Sequence, residues 1–203
     1  MQNRVLADIK VLKDAISNRK LVVFAGAGIS VDAGIPAWGK LIDEFKKDIS
    51  VPDSEGDYLK VAQMYYNERQ EKEYIDKIRS VLGVNNSVAN GIHKGIFDLK
   101  PEHVITTNYD NLLEQVVSAE ALPYSIIKED KDFPYSSGTN LLIKMHGDID
   151  NVNMVLKEDD YLEYSISHPL MESFIKSVFA SKVVLFIGYS FFLILILRLL
   201  FKP

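Results

Sequence analysis

The chain has 203 residues, a length that fits one domain or one domain with a small elaboration, and 47% of its residues are apolar, enough for a sizeable core. Its formal net charge of −5 and the lack of a long basic run argue against a nucleic-acid surface. With no cysteine, disulfides and thiolate zinc sites are excluded, which fits a reducing, cytoplasmic compartment. The histidines (His93, His103, His146 and His168) show no metal-ligand spacing, so no metal is expected.

Residues 1–20 are polar and mixed in charge, without the apolar centre of a signal peptide. Val5, Ile9, Leu12 and Ile16 fall at helical spacing and predict a first helix over 5–17. Residues 21–24 then read as a buried strand that runs into Gly26-Ala27-Gly28. Small residues there let backbone N–H groups approach an anion, and the following helix is expected to point its N-terminus at the same spot. A tight strand-to-helix turn explains the same glycines equally well. Val31 stands where the dinucleotide fingerprint has its third glycine, so the ordinary Rossmann pattern fails.

Trp38, Leu41, Ile42, Phe45 and Ile49 predict an amphipathic helix after Pro36. Asp57 is placed to cap a helix carrying Tyr58, Val61, Ala62 and Tyr65, and a second helix carries Tyr74, Ile75, Ile78 and Leu82. A third includes Ile92, Ile96 and Phe97. These are too many helices for one crossover, so a small helical layer is expected beside the sheet over about 50–100. Strands are expected at 103–106, 124–127, 141–145, 152–156 and 183–187, with helices at 112–117 and 169–180. The alternation implies an α/β fold: a doubly wound, mostly parallel, Rossmann-like sheet. Residues 183–201 are apolar enough in length to span a bilayer, but Gly188, Ser190 and Arg198 favour a buried strand, a turn and an apolar element, so no membrane association is expected.

Polar residues collect where strands end, the place where open parallel sheets bind ligands. The clusters are Gly26-Ala27-Gly28, Thr107-Asn108-Tyr109-Asp110, His146-Gly147-Asp148 and Gly188-Tyr189-Ser190, and they should converge on one crevice. Asn108 can bond a ribose hydroxyl or an amide, or orient a water; Asp110 can accept from an amide or hydroxyl. Either could instead cap the helix that follows. His146 suits a general base near neutral pH, or is an ordinary turn histidine. His93 and His103 read as ordinary histidines, and His168, before Pro169, as solvent-facing.

Together the four clusters resemble the sirtuin family over roughly residues 20–192. Gly26-Ala27-Gly28-Ile29-Ser30 with Ala33-Gly34-Ile35-Pro36 is similar to its glycine loop, Thr107-Asn108-Tyr109-Asp110 to its Gln-Asn-x-Asp motif, and His146-Gly147 to its catalytic pair. Thr106-Thr107-Asn108-Tyr109-Asp110 and Lys144-Met145-His146-Gly147-Asp148 look most like the bacterial sirtuin-like domains of antiphage defence, Thoeris type. That resemblance implies a single NAD-binding domain over 1–203 that hydrolyses NAD+ to ADP-ribose and nicotinamide, with no metal. It implies catalysis by Asn108 and His146, and cofactor contacts from Ala25, Gly26, Ala27, Gly28, Ser30, Asp110, Gly188 and Ser190. It further implies a homo-oligomer and, in relatives, a C-terminal sensing domain. Two departures stand out. Ala37-Trp38-Gly39 replaces the Asp-Phe-Arg of protein-deacylating sirtuins, whose four-cysteine zinc module is also missing, which weakens deacylation as the alternative activity. Phe192-Leu193-Ile194-Leu195 replaces the expected Asp and Asn, pointing to a truncated or altered C-terminal end and leaving a non-catalytic NAD- or ADP-ribose-binding module as a further alternative.

Overall fold

The structure is a computed structural model that describes residues 2–52, 54–83, 87–138, 140–149 and 153–189. Its centre is a sheet of five strands: β1 (Leu21–Ala25), β2 (His103–Thr106), β3 (Tyr124–Ile127), β4 (Asn140–Lys144) and β5 (Val183–Ile187). The order is β3-β4-β2-β1-β5 and every pairing is parallel. A parallel sheet must be covered on both faces, and this one is. Val22, Phe24, Ile105 and Ile143 pack against α6 (Glu158–Ser167) and α7 (Pro169–Ser181) through Tyr164, Met171 and Ile175. On the other face Val23, Val104 and Leu142 meet α4 (Gly91–Asp98) and α5 (Leu112–Ala119) through Ile96, Leu113 and Val116. The alternation of neighbouring strand residues between two apolar layers is why β1 reads as an uninterrupted apolar run.

The helical layer has its own core, but its membership differs from the expected span of about 50–100. It consists of α2 (Trp38–Asp48) and α3 (Tyr58–Leu82), where Leu41, Phe45, Val61, Tyr65 and Ile78 pack together. α4 lies on the sheet instead, because its Ile96 and Phe97 face the strands. Asp57 caps α3, accepting hydrogen bonds from the amides of Leu59 and Lys60. The two helices expected between 57 and 82 are both present within α3 and meet at Gln70, whose φ of +64° and ψ of 171° are non-helical. Residues 153–156 form no strand; they run beside the β4 exit, with the Val155 amide donating to His146 O at 3.0 Å. Residue 152, Ser190 and the apolar run 191–201 lie outside the described residues.

Candidate active site

The described residues of the four polar clusters come together, at the carboxyl edge formed by β4, β2, β1 and β5. The glycine turn is built differently from the expectation. Residues after Gly26 form two short 3-10 turns, Ala27–Ile29 and Val31–Ala33, rather than an α-helix. The amides of Gly26 and Gly28 donate to Ile187 O and Gly188 O, and those of Ile29 and Ser30 to Gly26 O and Ala27 O. Those four donors are therefore engaged by backbone carbonyls. A Cβ on Gly26 or Gly28 would lie 2.8 Å from Gly188 O, while Gly188 itself has φ +74° and sits against Gly26 O and Ile29 N. The glycines are required by this backbone-to-backbone contact whether or not a ligand binds.

Asn108 is buried one residue past Thr107. Its amide nitrogen donates to Gly26 O at 3.3 Å and Ser30 Oγ at 3.1 Å, and its backbone N–H to Thr106 Oγ1 at 3.0 Å. Since Gly26 O can only accept, the side-chain orientation is fixed, and Oδ1 faces away with no hydrogen-bond partner among the described residues. Ser30 Oγ donates to Asp110 Oδ2 at 2.9 Å, and Asp110 Oδ1 accepts from the Leu112 amide, so Asp110 both starts α5 and belongs to the site. His93 corrects its sequence reading: it is fully buried and its Nε2 lies 3.4 Å from Ser30 Oγ. Burial holds its pKa down, opposed by the nearby Asp110 carboxylate. The only signal for it was Asn90, which with His93 forms a reciprocal cap at the start of α4.

His146 sits on the other side of Tyr109, enclosed by aromatic rings. Ring centroids of Trp38, Tyr109 and Tyr161 lie 6.4, 6.5 and 5.4 Å away. Tyr161 Oη is 3.3 Å from Nε2, and Nδ1 has no partner among the described residues. Burial, with a smaller contribution from His168, pushes the imidazole pKa down to about 3, so His146 is neutral at physiological pH. Tyr164 donates to Met145 O at 2.8 Å and holds the preceding peptide. His168 is half-buried, stacked on Tyr164 at 4.7 Å, rather than solvent-facing. The sequence does not single out Tyr161 and Tyr164, because nothing local says that α6 crosses the β4 exit.

Tyr189 closes the β5 side. Its hydroxyl donates to Ala25 O at 3.2 Å and lies 2.9 Å from Thr107 Oγ1. Beside Asn108 lies a cavity of about 20 Å³, lined by Ala27, Ser30, Pro36, Trp38, Asn108 and Asp110 among others, room for about one water. No group of three or more His, Asp or Glu among the described residues is arranged to hold a metal ion.

Residues 102–193 match the family described as a SIR2-like domain. The chain is 33% identical over 199 residues to a protein of Bacillus subtilis named defense-associated sirtuin 2, covering 94% of this chain and 20% of that protein. It is 32% identical over 205 residues to a protein of Enterococcus faecium named NAD(+) hydrolase ThsA, covering 94% and 41%. A shorter match, 33% over 119 residues, is to a protein of Staphylococcus epidermidis named NAD-dependent protein deacetylase, covering 55% and 46%. The chain thus spans a fifth of the first of these proteins and about two fifths of the second.

Proposed function

We propose that the chain, whose residues 102–193 match the SIR2-like domain family, hydrolyses NAD+ to ADP-ribose and nicotinamide as the catalytic part of a bacterial antiphage defence protein. One observation carries the assignment. Asn108 Oδ1 and His146 Nδ1 are buried polar atoms without hydrogen-bond partners among the described residues, on the two loops that resemble the sirtuin catalytic motifs. A buried polar atom left unpaired is destabilising, by about 1–3 kcal/mol, and a ligand hydroxyl or water offers what is missing.

The reaction needs little acid-base chemistry at the leaving group, since nicotinamide departs neutral from a cationic N-glycoside. The C1′–N bond breaks with its electron pair going to nicotinamide, a water oxygen bonds to C1′ through an oxocarbenium-like transition state, and one proton is released. Asn108 Oδ1 accepts from a ribose hydroxyl or from that water and holds it in line. Neutral His146 takes the proton, a role worth about 10²–10⁴-fold; for Nδ1 to receive it, Nε2 must carry its hydrogen toward Tyr161 Oη. Ser30 and Asp110 hold the Asn108 amide and face the nicotinamide end. The diphosphate passes over Ala25–Gly28, where side chains are absent or single methyl groups, and Gly188 closes that wall. Ser190 is proposed on the resemblance alone.

The reading also places the domain in the cytoplasm, in a homo-oligomer that includes a sensing domain; among the described residues no helix is long and apolar enough to cross a membrane. The similarity to a protein named as a deacetylase keeps deacylation as the second reading. Incubation with NAD+ alone, following free nicotinamide, separates the two. Release without an acylated peptide, lost in His146→Ala and Asn108→Ala, is expected; release that requires the peptide assigns the second reading, and undiminished release by both variants removes these residues from the mechanism.

A further inference from the structure

Asn108 and His146 stand on different strand exits, and the structure shows no hydrogen bond between them. Their separation is set by whatever ties the loop after β2 to the loop after β4. Thr106 and Lys144 are register partners at the ends of these strands. The ladder continues only to Met145, whose amide donates to Thr106 O at 2.9 Å.

Beyond that point side chains make the tie: Tyr109 Oη donates to Val155 O at 2.7 Å, in the segment paired with His146, and Lys144 bridges the two loops directly. Lys144 is fully buried, and its ammonium donates to Asp110 O at 2.5 Å and Tyr109 O at 3.3 Å, both in the Asn108 loop. It also donates to Asp148 Oδ2 at 3.1 Å, in the His146 loop. Glu114 Oε1, in the first turn of α5, lies 2.8 Å away as an ion pair rather than an aligned hydrogen bond. Lys128 adds a second cation on Asp148 Oδ2 at 2.5 Å, so two ammonium groups face two carboxylates. A buried ammonium is costly unless paired in this way, and a merely stabilising role is served as well by apolar packing. The pairing here also fixes geometry, since both loop carbonyls can accept only from a donor standing between them.

We propose that Lys144, held by Glu114 and Asp148, is a positioning residue that sets the distance between the Asn108 and His146 loops for the reaction. This rests on the NAD+-hydrolase reading of the site. Lys144 touches neither the proposed substrate nor the reacting atoms; it acts through two peptide carbonyls of the Asn108 loop and the Asp148 carboxylate of the His146 loop. Trp38, the chain's single tryptophan, reports on the same distance without any turnover. Its ring is stacked on Tyr109 of one loop at 6.0 Å and lies 6.4 Å from His146 of the other.

The test uses the full chain, with Lys144→Met and Glu114→Gln. Nicotinamide release gives kcat and KM, the rise in melting temperature on adding NAD+ gives binding, and Trp38 emission gives loop placement. With wild-type turnover present, folded variants are expected to lose about 10²-fold in kcat, the effect of a misplacement near 1 Å, while KM stays within a few fold and Trp38 emission changes. A folded Lys144→Met protein with wild-type kcat, or with unaltered Trp38 emission, overturns the positioning role and leaves the hydrolase reading intact. Equal losses in kcat and NAD+ binding overturn it too. If Lys144→Met does not fold, Glu114→Gln decides by the same readouts. Should the wild type release no nicotinamide, the hydrolase reading falls, and Trp38 emission alone then decides whether Lys144 sets the loops.

Discussion

Gly28 donates its amide hydrogen to Gly188 O at 2.9 Å, and a Cβ on Gly28 would lie 2.8 Å from that same oxygen. The turns after β1 and β5 thus meet backbone to backbone, with no room for a methyl group. Gly28→Ala is expected to destabilise the fold by about 1–3 kcal/mol, the usual effect of overpacking, read as a lower urea midpoint. An unchanged midpoint would show that the two turns separate freely.

Asn108 gives a second test, because its two oxygen and nitrogen ends face different needs. Asn108→Ala removes one of the two donors to Gly26 O, which keeps the Ile29 amide, and the donor to Ser30 Oγ, and a loss of about 1 kcal/mol is expected. Asn108→Asp is expected to be worse than alanine although it is nearly isosteric. It turns a carboxylate oxygen toward the Gly26 carbonyl, which can only accept. Equal stability of the two variants would mean that the amide orientation assigned here is wrong.

Acid sensitivity follows from His146. Its folded pKa is about 3, against about 6.5 in an unfolded chain. Between those values the unfolded chain binds the proton and the folded one does not. The contribution is therefore fully present above about pH 6.5 and is lost as pH falls, by about 1.4 kcal/mol per unit. Burial lowers His93, His103 and His168 in the same direction. Urea midpoints at about pH 7 and about pH 5, where carboxylates change little, are expected to differ less in His146→Gln than in the wild type. An equal drop in both proteins would place the acid sensitivity elsewhere.

Asp57 offers a control away from the site. Its carboxylate caps α3 by accepting from two amides. Asp57→Ala is expected to lower stability by about 1 kcal/mol. Any nicotinamide release should be unaltered at temperatures where the variant stays folded, and a fall in kcat there would tie the helical layer to the chemistry.

Much of this arrangement is legible in the sequence because the signals are local. Alternating faces make β1, β2 and β4 plain apolar runs, and the polar clusters mark their ends. The capping of α3 by Asp57 is written in the spacing of one aspartate and an apolar face. What the chain hides are contacts made at long range. The helix expected after Gly28 is a pair of 3-10 turns, and the Gly28 amide bonds Gly188, far along the chain. His93 looks like a helix histidine until α4 is laid against the sheet beside Ser30. Lys144 reads as a strand-end lysine, for which solvent exposure is the ordinary outcome. Only the folded chain shows two carbonyls and two carboxylates around it.

The β1–β5 contact also sets an order of events during synthesis. Tyr189 reaches back to Ala25 across 164 residues, a closure that comes late and slowly in folding. β1 leaves the ribosome first of the five strands and waits, with its glycine turn uncovered, for the last of them. A nascent chain halted before Gly188 has the Asn108 and His146 loops but no wall behind Gly26 and Gly28. For a domain proposed to destroy NAD+, each copy is expected to lack its assembled site until translation has passed β5.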